Sequence, residues 1–197
     1  MARTKTITND AILAAARAIF LDKGFSASTR AIAQYAGVSE GLLFQRYPTK
    51  SELFFAAMIP PPWSHRRDPE ADFEPSLHKL ALDLLGYFRA SAPILLQLTT
   101  HPDFRFDQFA AAHPQSALVS LRGDLVRFFA ANKAADPSGA SLVLITSLHG
   151  MAMMEKLGAF GGRFPDDFVQ RAIGCIWQAV RPTAENVKLA PIEERIP

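Results

Sequence analysis

Between Ile32 and Leu43 the sequence reads IAQYAGVSEGLL, and its residue types suit one piece of chemistry, the presentation of a helix end to an anion. Two short helices joined by a tight turn need a residue that accepts positive φ at the turn and small side chains where the helices touch. Gly37 meets the first need, and Ala33, Ala36 and Val38 meet the second. Ile32 and Leu43 are the natural core plugs, one from each helix. Ser39 is placed to cap the second helix, which leaves that helix's free N–H groups and positive dipole end facing a phosphate or a groove. The same string also occurs as a packing element in ordinary helical bundles, so by itself it leaves both readings open.

Bond-making chemistry finds no comparable support. The five histidines (65, 78, 101, 113 and 149) show no metal-ligand spacing, and no paired carboxylates accompany them. His149, on an apolar segment, reads as a hydrogen-bonded core residue. No Gly-rich phosphate loop or nucleophile elbow is present. Catalytic residues, metals and cofactors are therefore expected to be none. The single cysteine, Cys175, excludes an intrachain disulfide, suits a reducing cytosol, and is expected as a buried apolar thiol. The N-terminus lacks the apolar stretch of a signal peptide, and the most apolar window, 142–154, is too short for a membrane span. A cytoplasmic protein without membrane association is expected.

Charge is distributed unevenly. Residues 1–59 carry seven basic and four acidic residues, and the rest carry fourteen and fifteen. An electropositive head on a near-neutral body fits a nucleic-acid footprint, although many domains that bind none share it.

The elements that must position these residues repeat at helical spacing, and strand alternation of useful length is missing. The fold class expected is all-α, with about nine helices. The first runs from about Asn9 to Lys23, with Ile12, Ala15, Ala16, Ile19 and Phe20 on one face and Thr8 or Asn9 as its cap. Two short ones follow at about 29–36 and 39–47. Thr49 and Glu52 form a capping box opening a fourth, which ends before the prolines at 60–62. A loop then leads to Pro75, with room for a helical turn near 68–73.

Further on, Leu77, Leu80, Ala81, Leu84, Leu85 and Phe88 form one stripe, and Pro93 is expected to start a separate short helix over 94–99. Leu118, Leu121, Leu125, Phe128 and Phe129 form another stripe. Asp136 and Pro137 open a long apolar helix to about 159. The last helix begins near Pro165, with Phe168, Ala172, Cys175, Ile176 and Ala179 on its expected buried face. The domains expected are residues 1–50, 51–182 and an irregular tail, 183–197.

The strings ILAAARAIFLDKGF, from Ile12, and TRAIAQYAGVSEGLLFQRYPTKSEL, from Thr29, resemble the TetR family's N-terminal signature in residue type and order. The resemblance implies a helix-turn-helix DNA-binding domain followed by a helical body for effector binding and dimerisation. It implies that Thr29, Arg30 and Lys50 contact DNA phosphates, beside the Ser39 cap already placed by its position, and that Gly41 permits close approach. Leu42, Gln45 and Arg46 become the candidates for base reading, since Gln can pair bidentately with adenine and Arg with guanine.

Phe44 stands where the family usually has Tyr, which removes a phenol-to-phosphate bond that Tyr47 could replace. Arg46 stands where His is frequent, and could touch a phosphate instead of a base. The link from Gly24 to Ile32 is one residue shorter than usual, which leaves the cap of the second helix open between Ser28 and Thr29. By the same analogy, Leu84, Phe88, Leu95, Phe104, Phe109 and Met154 are expected to line a site for a small, largely apolar effector. The last two long helices are expected to form a homodimer that reads a pseudo-palindromic double-stranded operator. The function implied is transcriptional regulation, as a ligand-released repressor. The rival is a helical small-molecule binding or assembly protein without DNA binding.

Overall fold

Helix formation follows the apolar spacing closely at the N-terminus. In the computed structural model, which describes residues 7–63, 73–114 and 116–180, helix α1 spans Asn9–Lys23 and buries Ile12, Ala15, Ala16 and Phe20. Thr8 caps it, its hydroxyl oxygen accepting from Ala11 N at 3.3 Å, and Gly24 ends it at φ 67°. Next come α2 (Thr29–Ala36), α3 (Glu40–Arg46) and α4 (Lys50–Ala57), then α5 (Phe73–Thr99), α6 (Phe106–Ala112), α7 (Ala117–Ala131), α8 (Pro137–Lys156) and α9 (Asp166–Val180). These are nine α-helices among the described residues, with short 3₁₀ turns at Gly24–Ser26 and Ala159–Gly161 and no strand. The expected turn near 68–73, except for Phe73, lies outside the described residues, as do the tail 183–197 and the side chains of Leu118 and Ala179.

Two expectations for the middle of the chain need correction. Pro93 does not separate two helices, because α5 runs through it without interruption. A proline inside a helix removes one hydrogen bond and costs about 3 kcal/mol or more. Here the residues beyond it, Ile94, Leu95 and Leu98, are all buried, and each contributes roughly 1.5–3 kcal/mol when fully removed from water. Packing therefore outweighs the local penalty. In addition, α6 forms where the sequence reading had no helix, and it buries Phe109.

Contacts group the chain into two compact units, one of Met1–Pro60 with Pro93–Phe109, the other of Pro61–Ala92 with Ala110–Pro197. The first has an aromatic core. Phe54 is fully buried, its ring 5.1 Å from that of Phe20 and 5.3 Å from that of Phe25, both edge-on. His101 lies in the same cluster, 4.3 Å from Phe25 and 4.9 Å from both Phe54 and Phe55. Arg17 joins α1 to the end of α4, donating from Nε to Ala57 O (2.7 Å) and from Nη2 to Ile59 O (3.0 Å).

The second unit has an aliphatic core. The stripe Leu77, Leu80, Ala81, Leu84, Leu85 and Phe88 packs with Leu121, Leu125, Phe128 and Phe129 of α7, Leu144 and Leu148 of α8, and Val169, Ile173 and Ile176 of α9. On α9 the buried face is therefore Val169–Ile173–Ile176, one step round from the expected one. Phe168 and Cys175 are exposed in this chain, so the expectation of a buried thiol is also corrected. Of the expected face only Ile176 is among the core residues, because the aliphatic β-branched residues Val169, Ile173 and Ile176, spaced i, i+4 and i+7, are the ones that fill the core. No helix among the described residues is long and apolar enough to cross a membrane.

Candidate nucleic-acid interface

The turn between α2 and α3 is built by hydrogen bonds that only a left-handed residue can close. Gly37 has φ 70° and ψ 31°. Its N–H donates to Gln34 O (3.2 Å), and Val38 N donates to Ala33 O (3.0 Å), which together complete a Schellman motif. A Cβ at Gly37 would meet nothing nearer than Ile7 Cδ1 at 3.9 Å. The constraint is therefore backbone conformation and not space. Gly37→Ala is expected to destabilise the chain by roughly 1–2 kcal/mol, read as a lowered urea midpoint. Gly37→Asn should lose less, since Asn enters the left-handed region more readily.

Ile32 and Leu43 plug this corner and are both fully buried. Ser28 is the cap of α2, its hydroxyl oxygen accepting from Ala31 N at 3.2 Å. Thr29 is thereby the first helical residue, and its Oγ1 donates to Glu40 Oε1 at 2.5 Å, tying the start of α2 to the start of α3. Ser39 caps α3, accepting from Leu42 N at 3.1 Å. Thr49 caps α4, accepting from Glu52 N (3.1 Å) and donating to Glu52 Oε1 (3.0 Å).

Along this surface Arg30, Ser39, Gly41, Phe44 and Gln45 are exposed, and Thr29, Leu42, Arg46, Tyr47 and Lys50 are half-buried. Among the described residues, and leaving aside its own helical turn, nothing lies closer than 4.0 Å to a Cβ built on Gly41, so its lack of a side chain is not demanded by their packing. Burial raises the Tyr47 phenol above its ordinary pKa, with the Arg46 charge opposing, so it remains protonated. Lys50 lies with Nζ 4.6 Å from the centroid of the Phe25 ring, a cation–π contact that steers the side chain at the start of α4.

Arg46 is the residue whose setting the sequence described least well. Its Nη1 donates to Ile7 O (2.8 Å) and to Asn9 Oδ1 (2.9 Å), so in the free chain it holds the entry to α1 against the end of α3. Asn9 and Glu40 are the partners that sequence reasoning missed. They lie 37 and 11 residues from Arg46 and Thr29, beyond the reach of local spacing.

The six residues expected to line an effector site fall in both units. Leu84 and Phe88 are buried in the second unit, Leu95 and Phe109 are buried in the first with Phe104 beside Phe109 at 5.8 Å, and Met154 is exposed. In the second unit, rings instead follow one another from Trp63 to Tyr87 (5.4 Å), Tyr87 to Phe88 (5.8 Å) and Phe88 to His149 (5.3 Å). His149 was expected to be hydrogen-bonded, yet its Nε2 is buried without a partner. Among the described residues no group of three or more His, Cys, Asp or Glu side chains is arranged to hold a metal ion.

Residues 12–57 match the family described as bacterial regulatory proteins, tetR family. No curated protein matches the chain. Solved structures do. A putative TetR-family transcriptional regulator from Mesorhizobium loti MAFF303099 is 18% identical with a TM-score of 0.67, over 86% of this chain and 95% of that one. The flavonoid-responsive regulator FrrA is 23% identical with a TM-score of 0.61, over 89% and 97%. NalD, the secondary repressor of the MexAB-OprM multidrug efflux pump in Pseudomonas aeruginosa, is 24% identical with a TM-score of 0.56, over 88% and 97%. At these identities the likeness is one of fold.

Proposed function

Starting from a chain that carries a TetR-family helix-turn-helix domain at residues 12–57 on a TetR-like fold, we propose that it is a homodimeric repressor, released from a pseudo-palindromic operator by a small, largely apolar effector. The observation that carries this reading is the Gly37 turn, which leaves the α3 face of Gly41, Leu42 and Gln45 open beside the Ser39 cap. Arg30, Ser39 and Lys50 fix the protein on phosphates, and Thr29 joins them by exchanging the Glu40 carboxylate for a phosphate oxygen. Leu42 and Gln45 read base edges, and Phe44 and Tyr47 flank them. Arg46 reads a base or phosphate only by releasing Ile7 and Asn9, so its first role is to set the register of α3.

The second copy is assigned to α8 and α9, where Leu142, Val143 and Met154 of α8 and Phe168 of α9 are exposed, with Leu157 and Phe160 exposed in the segment between them. A two-fold pair of such chains presents two recognition helices to paired half-sites. An effector with higher affinity for one arrangement of the pair than the other shifts the population away from the DNA-bound form. Support comes from NalD, a repressor, and from FrrA, a regulator that responds to a small molecule, since both share the fold.

The decisive experiment is a mobility shift with the promoter region next to the chain's own gene, across a salt series. Selective binding that weakens steeply with salt is expected, and its absence at micromolar protein sinks the reading. Lys50→Ala should weaken binding to all sequences alike and reduce the salt slope by about one. Gln45→Ala should instead relax preference at one base pair by about tenfold or more. An unchanged preference profile would remove Gln45 from the base-reading set.

A further inference from the structure

The Lys50 ammonium rests on a ring that a distant segment of the first unit holds. Phe25, whose ring centroid is 4.6 Å from Lys50 Nζ, sits in the short 3₁₀ turn Gly24–Ser26 and is only half-buried. So short a turn does not fix a large side chain, and the ring takes its direction from its neighbours. Phe20 and Phe54 stand against it, at 6.4 and 5.3 Å. Nearer still is His101, at 4.3 Å and 86° to the Phe25 ring. All of these residues belong to the first unit.

Two observations tie the end of α5 and the residues after it to this turn. A Cβ on Gly24 would meet Oε1 of Gln97, in the last turn of α5, at 3.6 Å. His101, just past that helix, is 6% exposed, and its imidazole is held in a set rotation, with Nδ1 accepting from Asp103 N at 3.1 Å and the ring stacked on Phe54 at 4.9 Å. Its Nε2 is buried without a hydrogen-bond partner. What His101 gives the cluster is therefore its ring.

A lysine left to itself spreads its ammonium over many rotamers, and ordering it at a phosphate costs entropy. A ring fixed beneath Nζ meets part of that cost in advance. The contact leaves the cation available, because an ammonium has three N–H donors and a ring on one side leaves others for a phosphate oxygen. We propose that Phe25 and His101 are positioning residues for DNA binding, with the His101 ring holding Phe25 where it presents the Lys50 ammonium to a backbone phosphate. This rests on the operator-binding reading above and adds the two side chains that set one of its phosphate contacts.

Fluorescence anisotropy with the labelled promoter-region duplex, at one fixed salt concentration, measures the affinity of the full chain and its variants, with urea midpoints confirming that each is folded. Phe25→Leu should weaken binding about threefold or more. With Lys50→Ala already present the same change should matter by less than about 1.5-fold, because the ring then has no cation to place. A residue that only supports the fold weakens both backgrounds alike. His101 variants test the second link. His101→Phe keeps a ring and loses the Asp103 bond, and should bind within about twofold of the wild type. His101→Asn keeps an acceptor near the Nδ1 position and loses the ring, and should bind as weakly as Phe25→Leu. Equal effects of Phe25→Leu in both backgrounds, tighter binding by Phe25→Leu, or His101→Asn binding as well as His101→Phe overturns the proposal. A wild type that binds no DNA sinks it together with the operator reading, whereas wild-type binding without this coupling sinks the positioning alone.

Discussion

Phe54→Ala is expected to destabilise the first unit by about 3–5 kcal/mol, the range for a fully buried phenyl group whose site cannot collapse. The ring is fully buried and touches aromatic groups on several sides, edge-on to Phe20, Phe25 and Phe55 and stacked on His101 at 4.9 Å. Rigid neighbours relax poorly, so the cavity persists, and each neighbour also loses a favourable ring geometry. A loss of that size is a large part of the 5–15 kcal/mol that keeps a typical domain folded. The urea midpoint of Phe54→Ala should fall steeply, with operator affinity falling beside it, and Phe54→Leu should recover most of both. A shift worth less than about 1 kcal/mol would show that the cluster does not depend on this ring.

The second large effect concerns Glu155. Its carboxylate receives Arg89 Nε and Nη2, each at 2.7 Å, and Phe164 N at 2.9 Å, with the Arg89 and Glu155 side chains only 19% and 9% exposed. Glu155→Leu strands a guanidinium and a backbone N–H away from water and should cost about 3 kcal/mol. The double change Arg89→Met with Glu155→Leu should recover much of it, because no buried charge is then left unpaired.

Acid should act on the same contact. The Arg89 hydrogen bonds, with burial opposing, hold the Glu155 carboxyl below its ordinary value of 4.5. The unfolded chain therefore takes up this proton first on acidification. The stabilisation is complete above the ordinary carboxyl range and is lost as pH falls through the folded value. Urea midpoints of the wild type should drop in that acid window more than those of Glu155→Gln, and parallel curves for the two would remove Glu155 from the acid response.

Local pattern made the helix-turn-helix legible because its determinants sit within a few residues of one another. Gly37, the Ser39 cap and the Ile32–Leu43 plug all act at short range. The misreadings share a cause of the opposite kind. Pro93 looks like a break until the burial of Ile94, Leu95 and Leu98 is known. His101 belongs to a cluster with Phe25 and Phe54 that no periodicity announces. On α9, apolar residues fill more than one face, and only the packed core distinguishes Val169–Ile173–Ile176 from Phe168 and Cys175. The expected effector residues came from analogy with the family's middle helices, and the partner that the buried His149 Nε2 lacks is a property of the packed chain that no such analogy supplies.

Two arginines described above also bear on how the first unit comes apart. Arg46 reaches back 39 residues to Ile7, and Arg17 reaches forward 40 and 42 residues to Ala57 and Ile59. Helix ends are ordinarily where a small domain frays first. In this one the entry to α1 and the exit of α4 are each fastened to a distant segment, so neither end can peel away without breaking a tie that closes a loop of about forty residues. Opening is pushed towards the all-or-none limit, and amide protons near residue 12 and near residue 57 should exchange together with the core and not ahead of it.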